Sequence, residues 1–219
     1  LDFIRRMEGS EAEAYGLTIP LMLKSDGTKF GKSAGNAIWL DPEQTTPYEF
    51  YQFWINQQDS DVPKFLKYFT FLSKEEIEAL EVEITENPHL RVAQRRLAEE
   101  ITRFVHSQES LEEAQQITEA LFTGNVGQLS AKQIKEGFKN MPQSTVSKET
   151  ANLAVWLVDT GIVDSRRQSR EFIHNNAISI NGEKIADVDY EIGPDDAIDG
   201  KYIIVRRGKK KYHLVILED

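Results

Sequence analysis

Between residues 47 and 140 apolar side chains recur every three or four positions, the spacing of one helix face after another. Tyr48, Tyr51 and Ile55 form one stripe beside Phe50, Phe53 and Trp54, and Phe65, Phe69 and Leu72 form a second. A longer stripe runs through Leu90, Ala93, Leu97, Ile101 and Phe104, with Pro88 near the first turn of its helix. Ser73 with Glu76, Ser110 with Glu113 and Ser130 with Gln133 have capping-box spacing. In that device the serine hydroxyl takes one free backbone N–H and the side chain three residues on returns to another. Gly124, after Phe122 and Thr123, is placed to end a helix. Residues 41–140 are therefore predicted as a helical domain. Its aromatic run from Tyr48 to Phe71 reads as core rather than as a base-stacking platform.

The pattern changes further on. Residues 141–150, MPQSTVSKET, carry little apolar content and predict a flexible linker. In residues 151–219, Leu153, Ala154, Leu157 and Val158 line one short helix that Gly161 stops. Ser165 with Gln168 opens a second, carrying Arg166, Arg167, Arg170, Phe172 and Ile173. Strand signals follow: AISI and EKI around the turn dipeptide Asn181-Gly182, then Tyr202–Val205 and Tyr212–Leu217 around Gly208. At the other end, residues 1–40 predict a short helix with Arg5 and Arg6, a strand over Leu17–Leu23, and a polar loop. Such a piece is too small to bury its own apolar face.

Charge refines this picture. The 219 residues hold 26 basic and 36 acidic groups, a net −10. Most of the excess lies in residues 41–140, with ten basic and eighteen acidic groups, against ten and twelve in residues 151–219. An acidic balance disfavours indiscriminate DNA or membrane binding but leaves room for a local basic stripe. There is no cysteine, which removes disulfides, thiolate metal sites and cysteine nucleophiles together. No apolar run reaches membrane-span length and nothing reads as a targeting segment, so a soluble cytoplasmic protein is expected.

The chemistry concentrates in Lys24–Asp41, KSDGTKFGKSAGNAIWLD. Lys29 and Lys32 flank Phe30 and Gly31, with Ser33 following, on a glycine-containing loop after an apolar run. Two flexible ammonium groups there suit phosphate handling; a polar turn explains the same residues without chemistry. A Walker A loop fails on spacing, because three residues separate Gly27 from Gly31 where four are needed. It also fails on context, since Pro42 follows where a helix should start. His89, His106, His174 and His213 are scattered, and no metal site is expected. Arg91, Arg95 and Arg96 offer a phosphate grip, but Glu99 and Glu100 stand where i,i+4 pairs would neutralise two of them.

KFGKS resembles the KMSKS loop of class I aminoacyl-tRNA synthetases, in the form carried by bacterial tyrosyl-tRNA synthetases. LDFIRRMEG, EAYGLTIPLMLKSDGTKFGKS, WLDP and TTPYEFYQFWINQQDSDVPKFLKYFTFL resemble the same family. SRRQSREFIHNNAISINGEKI, between helices and sheet, resembles the S-four-type RNA-binding domain that this family carries at its C-terminal end. The family's HIGH-type motif and most of its tyrosine pocket have no counterpart, so the chain resembles the C-terminal half of such an enzyme. The fold this implies is a tail of a Rossmann-type α/β catalytic domain (1–40), a mainly α helical anticodon-arm domain (41–140), a linker, and a small α+β S-four-type domain (151–219).

The resemblance implies tyrosine activation by ATP and transfer to tRNA(Tyr). Lys29 and Lys32 then match the loop lysines that neutralise the leaving pyrophosphate. Lys29, Phe30, Gly31, Lys32 and Ser33 form the ATP-binding loop. Magnesium would accompany ATP, with no cofactor resident in the fragment. Arg166, Arg167, Arg170, Lys184, Lys209, Lys210 and Lys211 are expected to converge on one face that grips tRNA phosphates; as turn and edge residues the lysines would equally guard against aggregation. The complete enzyme is expected to be a homodimer and this fragment a monomer, with no membrane partner. Two other readings remain: a stand-alone RNA-binding module without catalysis, and a different S-four-containing protein such as an RNA-modifying enzyme, which would leave KFGKS unexplained.

Overall fold

The computed structural model describes residues 2–19, 21–29 and 37–218. They fall into two compact units, divided between Ala37 and Ile38.

In the first unit, α1 (Asp2–Glu8) is the expected short helix. The strand expected over Leu17–Leu23 is absent among the described residues; there, only Leu23 makes a β-bridge, to Lys29. A strand needs a neighbour along its whole length to pair its N–H and C=O groups. The described residues supply no such neighbour, and Tyr15 (91 % exposed) and Leu17 (95 %) lie open to solvent.

The second unit begins with a helical layer. α2 (Pro47–Ile55) starts at Thr46, whose hydroxyl and the Glu49 carboxylate form a capping box. α3 (Val62–Phe69), α4 (Lys74–Glu86), α5 (Val92–Val105), α6 (Gln108–Thr123) and α7 (Ala131–Gly137) follow. The boxes at Ser73/Glu76 and Ser130/Gln133 form as expected. Ser110 does not cap; Ser107 does, accepting the Ser110 N–H at 3.1 Å, so α6 starts a turn earlier. Pro88 belongs to a separate 3-10 turn, and Arg91 breaks the path to α5 with φ 51°. The Arg91 guanidinium donates to the Ile55 carbonyl at 2.8 Å and the Gln57 carbonyl at 3.0 Å, capping the end of α2. At the opposite end of the pair, His106 packs edge-on against Phe50, centroids 4.8 Å apart. α5 therefore runs antiparallel to α2. Phe50, Trp54, Phe65, Leu66, Leu97 and Ile117 are buried between the helices, so the aromatic run, with one exception, the 55 % exposed Tyr68, is core up to Phe69. Phe71 is not, at 86 % exposed.

Residues 141–150, expected as a flexible linker, carry β1 (Gln143–Ser147), then β2 (Ala151–Asn152) and α8 (Leu153–Asp159) follow. α9 (Arg166–His174), β3 (Ile178–Ile180), β4 (Glu183–Ile185), β5 (Glu191–Ile192), β6 (Tyr202–Arg207) and β7 (Lys211–Glu218) complete the chain. The main sheet has the order β1-β7-β6-β3-β4, with β1 parallel to β7 and the other pairs antiparallel. β1 is legible only here: its strand identity comes from the open edge of β7, not from its own composition. Asn181 and Gly182 turn the β3–β4 hairpin with φ 49° and 95°, both positive as a two-residue type I′ turn requires.

Alternation along β6 sends side chains to opposite faces. Ile203 and Val205 join Leu153, Leu157 and Ile173 of α8 and α9. Tyr202 and Ile204 join Ile117, Leu129, Ile134 and Phe138 of the helical layer. The sheet is thus covered on one side by its own helices and on the other by α6 and α7. At this junction a Cβ on Gly182 would stand 2.6 Å from the Gly124 carbonyl oxygen, and one on Gly127 2.5 Å from that of Asn181. Only glycine permits backbones to approach so closely. The Tyr212 hydroxyl donates to the Leu121 carbonyl at 3.0 Å, using a free acceptor at the end of α6.

Candidate nucleic-acid interface

Of the lysine loop, the described residues end at Lys29; Phe30, Gly31, Lys32 and Ser33 lie outside them. What leads into the loop is a tight hairpin. The Lys24 N–H donates to the Thr28 carbonyl at 2.8 Å, and the Asp26 carboxylate accepts from the Thr28 N–H at 2.8 Å and its hydroxyl at 2.6 Å. The threonine bonds hold the Asp26 carboxyl below the usual carboxylate range. Lys29 stands exposed at the end of this turn, a charge carried on a short, locally pinned stem.

The second candidate is the outer side of the C-terminal domain. Ser169 and Ile173 pin α9 inward, which leaves Arg166, Arg167 and Arg170 exposed. Lys209 and Lys210 form the β6–β7 turn, and the Gly208 N–H donates to the Ala177 carbonyl at 2.7 Å. That bond ties the turn to the exit of α9, while Arg166 and Arg167 open its entrance. A nine-residue helix is about 13 Å long, so the cations are spread along α9 rather than clustered at a point.

The strand register sorts the remaining cations. Lys184, Ser179, Arg206 and Tyr212 form one row across the sheet, and Ile185, Ile178, Arg207 and Lys211 the next. Directly paired residues share a face and successive rows alternate. Lys211 therefore lies on the α9 side with Arg207, whose guanidinium sits 5.6 Å from the Phe172 ring centre and donates to the Ile162 carbonyl at 2.7 Å. Lys184 lies on the opposite side with Arg206. The expected convergence of all seven cations thus does not occur: Lys184 is separated from α9 by the sheet itself.

Arg206 and Arg207 stand in these rows outside the expected set, both half-buried, Arg206 with its guanidinium 6.0 Å from the Tyr212 ring centre. The run VRRGKKK carries their signal, but a strand that stops at Val205 leaves both arginines without a place. Burial lowers the pKa of His213, whose Nε2 lies 3.0 Å from the Ser144 hydroxyl. In the helical layer, Arg96 pairs with Glu100 at 3.1 Å and Glu76 at 3.6 Å, and Arg91 is taken up by backbone carbonyls. A cleft of ≈510 Å³ at the junction is lined by Asn125, Gln128, Asn181, Glu183, Tyr190 and Asp196. Its carboxylates make it unsuitable for phosphate. The hydrogen bond to Asp196, with burial, pushes the Tyr190 phenol pKa up to about 12. Among the described residues, no three His, Asp or Glu side chains form a metal-ligand cluster.

Comparison with known proteins gives these sites their context. Residues 1–123 match the model described as "tRNA synthetases class I (W and Y)", and residues 133–215 match "Tyrosine--tRNA ligase SYY-like C-terminal domain". The chain is 62% identical over 214 residues to a tyrosine--tRNA ligase of Ligilactobacillus salivarius, covering 98% of the chain and 51% of that protein. It is 60% identical over 217 residues to tyrosine--tRNA ligase 2 of Bacillus cereus, covering 99% and 52%. The chain thus spans about half the length of these relatives. A solution structure of a tyrosyl-tRNA synthetase C-terminal domain aligns over 45% of the chain and 100% of its own length, at 39% identity and TM-score 0.38.

Proposed function

Because this chain belongs to the class I tRNA synthetases (W and Y), we propose that it is the tRNA-binding half of a tyrosine–tRNA ligase and carries that enzyme's pyrophosphate-clamping loop. The complete enzyme activates tyrosine with ATP and passes it to tRNA(Tyr). The observation that carries this reading is the likeness to tyrosine–tRNA ligases along nearly the whole chain. A stand-alone RNA-binding module would leave the lysine loop without a task.

In the activation step the tyrosine carboxylate attacks the α-phosphorus of ATP and pyrophosphate departs with the bonding electrons. Lys29 and Lys32 meet the negative charge that grows on the leaving group. Their contribution is electrostatic, and is strongest in the transition state, where that charge develops. Gly31 lets the loop backbone close on the phosphates, Phe30 anchors it, and Ser33 completes the ATP-binding segment. Magnesium enters with ATP. Transfer to tRNA requires the nucleic acid to be held in register, which is the task assigned to Arg166, Arg167, Arg170, Lys209, Lys210 and Lys211. Lys184 meets tRNA only where it passes the far side of the sheet. The working enzyme is a cytoplasmic homodimer, and the present chain alone is a monomer that does not activate tyrosine.

The test is the salt dependence of tRNA(Tyr) binding to the 219-residue chain. Every cation seated on a phosphate releases counterions. Removing one such cation therefore lowers the steepness of log affinity against log salt by just under about one unit on a duplex. Replacing Arg166, Arg167 and Arg170 together by Gln is expected to flatten the slope and weaken binding. An unchanged slope would remove this face from the RNA surface.

A further inference from the structure

We propose that Arg206 and Tyr212 are positioning residues: together they clasp the end of α6 and set the direction in which the α9 cations face, without touching RNA themselves. The proposal deepens the reading above and rests on it.

β6 and β7 pair Arg206 directly with Tyr212, so both side chains leave the sheet on the side of the helical layer. The Tyr212 hydroxyl donates to the Leu121 carbonyl at 3.0 Å, and its ring packs edge-on against Phe138, centroids 5.8 Å apart. The Arg206 guanidinium lies 6.0 Å from the Tyr212 ring centre and also against the backbone of Gly124. A Cβ on Gly124 would overlap Nη1 and stand 2.8 Å from Cζ. Gly124 ends α6 with φ 94°, so both conformation and room call for glycine there. The last carbonyls of a helix carry partial negative charge, which a guanidinium beside them offsets.

Arg206 is unlike the exposed cations of the α9 side. It is half-buried, and its Nε is buried without a hydrogen-bond partner. A phosphate is gripped through the open edge of a guanidinium, and part of that edge is shut inside the protein here. The next residue repeats the device on the opposite face, where Arg207 holds the Ile162 carbonyl and the Phe172 ring. The two arginines of VRRGKKK are thus tied to protein, one on each side of the sheet, while Lys209, Lys210 and Lys211 are exposed.

α9 is anchored to the sheet through Ile173, in one core with Ile203 and Val205. Turning the sheet on α6 therefore turns the α9 cations with it. The RNA is taken to lie across both the helical layer, expected as the anticodon-arm domain, and the C-terminal domain. A surface already held in the fitting orientation binds without a further ordering cost, and one that rocks does not.

The chain has no cysteine, so Glu75→Cys in α4 and Glu171→Cys in α9, both at exposed positions, carry the only two spin labels. Their distance distribution reads the orientation with no RNA present. Arg206→Gln is expected to broaden it, and so is Tyr212→Phe, which loses only a hydroxyl. In the unlabelled chain both variants are expected to weaken tRNA(Tyr) binding about tenfold through lost preorganisation. The slope of log affinity against log salt is expected to keep its parent value, because no phosphate contact is removed. Arg206→Lys is expected to behave as Arg206→Gln does, since it returns the charge without the flat fork. A distance distribution unchanged in both variants would overturn the clasp. A slope lowered in Arg206→Gln by just under about one unit, and restored by lysine, would overturn it too, making Arg206 a phosphate contact. A parent chain that does not bind tRNA would overturn the function proposed above, and the spin-label distances would still decide the clasp.

Discussion

The described residues of the first unit and those of the second both carry apolar runs and reach opposite outcomes. In the first unit Tyr15, Leu17 and Ile19 are 81–95 % exposed and no strand forms among the described residues. In the second, Val62, Phe65, Leu97, Leu157 and Ile203 are fully buried. What differs, among the described residues, is whether another apolar surface lies against each run. An apolar run specifies a tendency, and a partner converts it into structure.

The sharpest way to break this comparison is to truncate one side chain in each region. Phe65→Ala is expected to cost about 3–5 kcal/mol, from reduced burial and the cavity left behind. Leu17→Ala, at 95 % exposed, is expected to change stability by less than about 0.5 kcal/mol. Urea unfolding of the two variants measures both. Comparable losses would mean that Leu17 is buried in solution.

A second change asks whether residues 38–218 are one body. Gly127→Ala puts a Cβ against the Asn181 carbonyl oxygen, and is expected to cost about 1–3 kcal/mol through overpacking. Calorimetry is expected to show one transition in the parent chain, with the helical and C-terminal parts coming apart in the variant. Two independent transitions in the parent chain would mean that the shared core around Ile117, Phe138 and Tyr202 does not couple them.

The smallest effect tests a single helix start. Ser107→Ala removes the hydroxyl that accepts the Ser110 N–H, and is expected to cost about 1 kcal/mol. Ser110→Ala, inside the first turn, is expected to cost less. The reverse order in thermal unfolding would restore the start that the Ser110/Glu113 spacing predicts.

Local chemistry is enough for several features. Ser73 with Glu76 and Ser130 with Gln133 set helix starts because the capping partners are three residues apart and need no tertiary help. Asn181-Gly182 sets a hairpin because few residues tolerate two consecutive positive φ angles. The helix opening with Arg166, Arg167 and Arg170 is legible for the same reason: an exposed helix face is written in contiguous residues.

Whatever depends on a distant surface is decided only by the fold. Residues 143–147 become a strand because β7 offers an unpaired edge, which no property of QSTVS announces. Lys184 leaves the expected basic face because one-residue alternation in a strand sends neighbours to opposite sides of a sheet. The run Leu90 to Phe104 is one uniform stripe in sequence, yet Ala93, Leu97 and Ile101 are covered while Phe104 is bare. Periodicity states which side of a helix is apolar; only the packed structure states how far along that side the cover extends.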